Sequence, residues 1–381
     1  MNTHWFQETR RSSPLGTGLA GAGAGMATLG ALAWTWRRLS PHLRYAPGWP
    51  GEKPHWYYAA KDGIGTALGP PGPSRSRIWF TLHRGVLSEV FYPRADQPSI
   101  RQLCLIVTDG RGFYSEEPLD TGSRIEMPVQ GVPAYQLTNT DRQGRCRIEK
   151  TILAHPDHDA ILQFVRFVPL RGAMGDYRIH AFLDPHLSNR GRPNSAWVGT
   201  VAGQTMLFAE HQGHAAALAC SIDWNDASAG YVGRSDGRRD LQRHGRLSQT
   251  YDQALHGNVS LIGEVDLACC DGAFLLALGF GESPAEAAHH ARSGMLDDFT
   301  SALDHYNAGW RDWQSGLSIP EPPEPGDATS TASAPWSSGR TRTRTCRVPT
   351  SPASPSPGAR PLPKSRSAGS ATMSSGRATW S

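Results

Sequence analysis

A few short segments of this 381-residue sequence place chemistry-bearing side chains close together. His155-Pro-Asp-His-Asp159 offers imidazoles and carboxylates at the density of a metal site. It lies between two strongly β-forming runs, however, and Pro-Asp is ordinary turn chemistry, so a tight connection is expected and no metal. Glu116 and Glu117 are adjacent carboxylates, and glycoside hydrolysis needs two carboxyl groups flanking one bond. Neighbours in a strand point to opposite faces, so this pair cannot flank a bond, and a solvated edge or turn is the expectation. His289 and His290 fall in an Ala-rich helical stretch without a partner at i+4, which reads as surface histidine. Gly63-Ile-Gly65 precedes no strand-to-helix turn of the phosphate-binding kind.

The remaining candidate is Asn189-Arg-Gly-Arg-Pro-Asn194 with Trp197 just beyond it. Asn189, Arg190 and Asn194 supply hydrogen-bond donors suited to sugar hydroxyls, and Trp197 could stack on a pyranose face. The competing interpretation is a turn followed by a core tryptophan. The six cysteines show no CxxC or Cys/His spacing of a zinc site and are far too sparse for a disulfide scaffold, so reduced thiols are expected. No cofactor is expected.

The elements that must carry these residues are strands. From Arg77 to Phe280 the chain is a succession of short β-branched and aromatic runs separated by Gly, Pro, Asn and Asp. Arg147-Ile-Glu-Lys-Thr-Ile-Leu153 alternates apolar with polar, the period of a sheet with one buried face. So many strands would curl as one open sheet, so the expected class is all-β, a large antiparallel β-sandwich of two packed sheets. At Ser283 the pattern changes. Ser-Pro-Ala-Glu supplies an N-cap, a proline at the first helical position and a Glu three residues on, predicting a helix to about Gly294. A second helix is predicted from about Leu296 to Gly316. Its Phe299, Leu303, Tyr306, Trp310 and Trp313 form an apolar stripe that needs a cover. Left bare, it would drive self-association and poor solubility.

Pro320-Glu-Pro-Pro-Glu-Pro325 reads as a stiff linker, and the Ser, Thr, Pro, Ala, Gly and Arg beyond it cannot form a core. The division is therefore residues 1–45 as an extension, 46–282 as sandwich, 283–319 as helical linker and 320–381 as disordered tail. The formal charge of +4 resides in that tail. Beyond Asp327 there are eight basic residues and no acidic one, and setting these aside leaves 30 basic against 34 acidic residues. A mildly acidic body argues against a nucleic-acid partner. Arg10 and Arg11 precede a Gly/Ala-rich run from Leu15 to Trp36 closed by Arg37 and Arg38, with Ala31-Leu32-Ala33 a small-x-small site. The run is weakly hydrophobic and helix-poor, so no membrane partner and a cytoplasmic location are expected. Export or anchoring through residues 10–38 is the alternative, and Met26 is an internal candidate start.

Several segments, in order, resemble one family. They are Gly85-Val-Leu-Ser-Glu-Val-Phe-Tyr-Pro-Arg-Ala-Asp-Gln97, Leu105-Ile-Val-Thr-Asp-Gly110, Tyr114-Ser-Glu-Glu117 and Pro185-His-Leu-Ser-Asn-Arg-Gly191. Further along come Ala196-Trp-Val-Gly199, Ser228-Ala-Gly-Tyr-Val-Gly-Arg-Ser-Asp-Gly237 and Ala308-Gly-Trp-Arg-Asp-Trp313. From about Ala46 to Leu317 the sequence resembles the amino-terminal domain of bacterial glucoamylases and glucodextranases. The resemblance implies a sandwich joined by helices to an (α/α)6 barrel that removes glucose from α-glucan ends with inversion, using two barrel glutamates. It further implies that loops of the sandwich help to wall the barrel's site. The expected function is that of a non-catalytic domain, inactive alone, meeting α-glucan or maltooligosaccharide only beside a barrel. A free-standing carbohydrate-binding module and the sandwich of a disaccharide phosphorylase are the alternatives.

The tail fits that expectation if it is read out of frame. With suitable codons, Thr350–Gly358 shifted by two bases encodes isoleucine, alanine, serine, leucine, serine, isoleucine, proline, tryptophan. The same offset over Ala371–Ser381 gives tyrosine, histidine, valine, valine, tryptophan, proline, arginine, aspartate, methionine, valine. Both strings resemble barrel segments, so a frameshift near Asp327 that removes the barrel is expected.

Overall fold

A computed structural model of the chain describes residues 43–56, 60–68 and 76–317. The expectations for the extension before residue 43 and for the linker and tail beyond 317 lie outside the described residues. The first half contributes β1 (Gly63–Thr66), β2 (Trp79–His83), β3 (Val86–Phe91), β4 (Pro98–Thr108) and β5 (Tyr114–Glu116). A one-turn helix α1 (Glu117–Asp120) leads to β6 (Thr121–Glu126), β7 (Tyr135–Asp141), β8 (Cys146–Ala154) and β9 (Ala160–Pro169). Then follow β10 (Arg178–Pro185), β11 (Asn194–Val201), β12 (Gln204–His211), β13 (His214–Cys220) and β14 (Trp224–Tyr231). Helix α2 (Gly237–His244), β15 (Gln253–Gly257), β16 (Val259–Val265), β17 (Ala273–Gly281), α3 (Pro284–Leu296) and α4 (Phe299–Ser315) complete the described chain.

The strands form two antiparallel sheets, as the strand pattern predicts. The eight-stranded sheet runs β1-β2-β3-β4-β10-β16-β14, with β5 also paired to β4. The nine-stranded sheet runs β15-β11-β12-β13-β17-β9-β8-β7-β6. Each central strand of the eight-stranded sheet serves two cores by period-2 alternation. Leu103, Leu105 and Val107 of β4, Ile179, Ala181 and Leu183 of β10, and Val259 and Leu261 of β16 enter the main core. The intervening Cys104, Ile106, Phe182 and Ile262 face the other way and meet Leu241 and Leu247 under helix α2. That helix is capped by Asp236, which accepts from Arg239 N at 3.0 Å, and is stopped by Gly245 in the left-handed region.

The outer face of the nine-stranded sheet is covered by α3 and α4. Ser283 caps α3 by accepting from Glu286 N at 3.2 Å, with Pro284 at the first turn. Ala287, Ala288, Ala291 and Gly294 face the sheet, and the strand beneath answers with glycine. A Cβ on Gly279 would sit 2.3 Å from the carbonyl oxygen of Ala287, so helix and strand approach closer than any side chain allows.

The second helix corrects the expectation of a bare apolar stripe. Phe299, Tyr306 and Trp310 are buried, and Leu303 and Trp313 pack on the same core. The sandwich itself provides the cover. Tyr306 Oη lies 2.8 Å from the carbonyl of Thr66 and 3.1 Å from that of Pro133, and Trp310 Nε1 donates to Thr66 O at 3.3 Å. Phe299 stacks on Phe164 at 5.4 Å. Self-association through this stripe therefore loses its physical basis. At the helix end, Gln314 Nε2 donates to Gly131 O at 2.8 Å in the β6–β7 loop.

Candidate functional site

The predicted loop runs from the end of β10 to the start of β11, and the structure separates its four residues. Asn189 and Arg190 are exposed, Asn189 with a φ of 59°. Asn194 is fully buried and donates Nδ2 to Arg190 O at 2.8 Å, so it shapes the loop and is not offered to a ligand. Trp197 is half-buried, stacked 5.4 Å from Phe208 directly opposite on β12. Three residues apart on one strand, Asn194 and Trp197 face opposite sides of the sheet. The four therefore do not converge on one ring.

The loop instead forms the rim of a groove of about 380 Å³, lined among others by Pro193, Ser195, Glu210, His211, His256 and Glu282. The β12–β13 hairpin positions its floor. Gln212 and Gly213 make the two-residue turn with φ of 45° and 76°, which brings His211 and His214 opposite each other. His214 is committed to the framework. Gln97 Nε2 donates to its Nε2 at 3.3 Å, which leaves the ring proton on Nδ1 for Ser188 Oγ at 3.0 Å. His211 differs. Its Nε2 is buried with no hydrogen-bond partner among the described residues. Burial pushes the imidazole below its ordinary value, which favours a neutral ring beside the groove. The far wall is β15, where His256 N donates to Ser195 Oγ at 3.2 Å and Trp49 Nε1 donates to His256 O. Trp49 is 68% exposed beside it.

The imidazoles of His211 and His256, the carboxylates of Glu210 and Glu282 and the exposed indole of Trp49 beside them suit recognition of a polyhydroxylated ligand, whereas Asn189 and Arg190 are not among the lining residues. A larger depression of about 560 Å³ lies between Asp62, Arg84, Ser123 and Arg142. It holds no polar atom that is both buried and unpartnered among the described residues. Sequence reasoning missed His211, His256 and Trp49. A His-Gln-Gly-His hairpin was readable, but the meeting of three distant segments was not.

The adjacent carboxylates point to opposite sides, as their spacing predicts, yet neither is solvated, which corrects the expectation of an exposed edge. Glu116 and Glu117 are each 1% exposed. Glu116 accepts from Tyr114 Oη at 2.8 Å and pairs with Arg238 of α2 at 3.0 Å. Glu117 lies at the crossing between the sheets. It accepts from Leu105 N at 2.7 Å, from Asn139 Nδ2 at 2.6 Å and from the fully buried ammonium of Lys150 at 2.7 Å. This is a structural latch between β4, β7 and β8. The Gly63–Gly65 segment is strand β1, and His155–Asp159 is the β8–β9 turn.

Known proteins share this architecture. The sequence profile of the family described as "Glucodextranase, domain N" matches residues 46–315, which includes both helices. The chain belongs to that family. Among curated relatives of this domain N chain, a glucoamylase of Clostridium sp. (strain G0005) is 33% identical over 268 residues, covering 70% of the chain and 37% of that protein. Among solved structures, a bacterial glucoamylase complexed with acarbose matches with a TM-score of 0.69 at 33% identity. That match covers 72% of the chain and 40% of the glucoamylase. The domain N chain thus spans well under half the length of either relative, and it corresponds to their non-catalytic amino-terminal sandwich.

Proposed function

We propose that this chain is the supporting domain of an α-glucan exo-hydrolase, with the β10–β11 loop that carries Asn189 and Arg190, and the groove that begins at its Pro193, turned toward the site where the sugar chain is held. The observation that carries the proposal is that sandwich and helices together, residues 46–315, match the family's domain N, and that the chain matches the N-terminal part of a solved glucoamylase. Sugar cleavage would come from a carboxyl pair outside this domain. The groove and the loop beside it would supply recognition, through Glu210, His256 and Glu282 in the one and Asn189 and Arg190 in the other.

Incubation of the purified chain with maltose, maltooligosaccharides and dextran tests the division of labour. No release of glucose is expected, and release abolished by a point change within the chain would overturn the proposal. Replacing the amino-terminal domain of a glucoamylase by residues 43–317, then changing Asn189 and Arg190 to alanine, tests the loop. A raised KM for maltooligosaccharides at unchanged kcat is expected. Unchanged constants would remove the loop from the site. Strong retention of the isolated chain on a starch gel would favour a free-standing binding module instead.

A further inference from the structure

Five histidines from three segments meet where the β8–β9 turn touches the corner between α3 and α4. His155 and His158 come from the turn, His289 and His290 from α3, and His305 from α4, where its Nδ1 lies 3.6 Å from Asp157. Asp297, at the C-cap of α3, completes the group. We propose that this corner binds one divalent transition-metal ion of the zinc class, with His158, Asp297 and His290 as ligands and His155 as their support.

The donor set is of the right kind, since imidazole nitrogen with carboxylate oxygen suits zinc, nickel and copper. The spacing brings the group together: candidate ligand atoms of His155, His158 and Asp297 all lie within 4.8 Å of one another, and His290 stands just outside them. The ring of His158 is 5.9 Å from that of His290 and 6.2 Å from that of His289. Two imidazoles sharing a tetrahedral ion at ~2.0–2.1 Å bonds have ring centres roughly 5 Å apart, so His158 and His290 reach that separation by an adjustment of about 1 Å, and the His290 ring must turn toward Asp297 to complete the set.

Protonation decides the roles. His155 Nδ1 accepts from Asp157 N at 3.1 Å and from His158 N at 3.2 Å, so its proton sits on Nε2. From there it is donated to Asp297 Oδ2 at 3.1 Å. A ring held this way would have to become an imidazolate to ligate. Its fitting role is to orient the carboxylate, as outer partners of metal ligands do. His290 is the reverse case. Its Nε2 faces Glu286 at 3.7 Å, while its Nδ1 is buried without a hydrogen-bond partner. With its proton on Nε2 toward Glu286, the Nδ1 lone pair is free for a metal in a neighbourhood where Asp157, Glu286 and Asp297 supply negative charge and Arg77 is occupied by Asp159 and Glu286. An ion held here would fasten α3 to the β8–β9 turn of the sandwich.

Calorimetric titration of the full, untagged chain with Zn²⁺ tests the site, with Co²⁺ absorption reporting coordination geometry. One ion per chain is expected, with a tetrahedral cobalt spectrum and a thermal midpoint that rises on zinc addition. His158→Ala, which alters a half-exposed turn residue, and Asp297→Asn should each weaken binding by roughly tenfold or more and abolish the rise. His305→Ala should leave both unchanged. Absence of stoichiometric binding, or the same affinity in a His158→Ala/His290→Ala chain whose metal-free melting is normal, would overturn the proposal.

Discussion

Lys150 has no exposed side-chain surface, and its charge survives burial only because Glu117, itself held by Leu105 N and Asn139, lies 2.7 Å away. Removing one partner of such a pair leaves an uncompensated buried charge. Lys150→Met is expected to cost about 3–5 kcal/mol in urea unfolding, and adding Glu117→Gln should recover part of the loss. No recovery in the double variant would show that packing of the lysine stem, and not its charge, is what matters. The sequence foretold that Glu116 and Glu117 diverge, because strand alternation is local. It did not foretell their burial, because Lys150 and Arg238 arrive from distant elements. The same limit applies to Asn194, whose type suggested a ligand contact while its position made it internal. Asn194→Ala should destabilise by about 1–3 kcal/mol, whereas Asn189→Ala and Arg190→Ala, both exposed, should change stability by less than about 0.5 kcal/mol.

The two terminal helices show what local signals carry at the scale of elements. Ser283, Pro284 and Glu286 announced the start of α3, and that helix begins at Pro284. The apolar spacing announced α4, found at Phe299–Ser315. Which surface receives each helix was hidden, since the partners are Gly279, Thr66 and Pro133, all named by tertiary packing. Strands behave alike. The alternation in β8 was plain because one of its faces is partly open. β4 and β16, apolar on both sides, needed a second core under α2 to explain them. Gly279→Val should lift α3 off β17 and lower the thermal midpoint sharply, with loss of far-UV helical signal before sheet signal. A cooperative, wild-type-like transition would contradict the close-approach argument. Tyr306→Phe, which removes only the hydroxyl, is expected to cost about 1–3 kcal/mol.

Across the whole molecule, acidity is the variable to which the buried imidazoles expose the fold. Burial, reinforced by the nearby His158, depresses His155 from 6.5 to about 4, and burial also lowers His83, His186, His211 and His290. In this window the unfolded chain binds more protons than the native one, so stability rises with pH. The contribution is complete above pH 6.5 and drains away as the pH falls toward 4. The midpoint measured in chelator should therefore drop by about 5 °C or more between pH 7 and pH 5, and less in His155→Gln. A flat profile would refute the linkage. At this scale the two-sheet class was legible from strand periodicity and turn residues. The groove was not, because its floor, rim and far wall come from β12, the β10–β11 loop and β15.

The bond from Gln314 to Gly131 makes the final helical turn part of the sandwich, so whatever is fused behind Leu317 starts out on a bearing, not on a tether. One residue inserted into α4 ahead of Gln314 would swing that bearing by about 100°. A series of such insertions in an active chimaera would turn hydrolysis into a compass, reading out the orientation in which the groove and a neighbouring catalytic site must face each other.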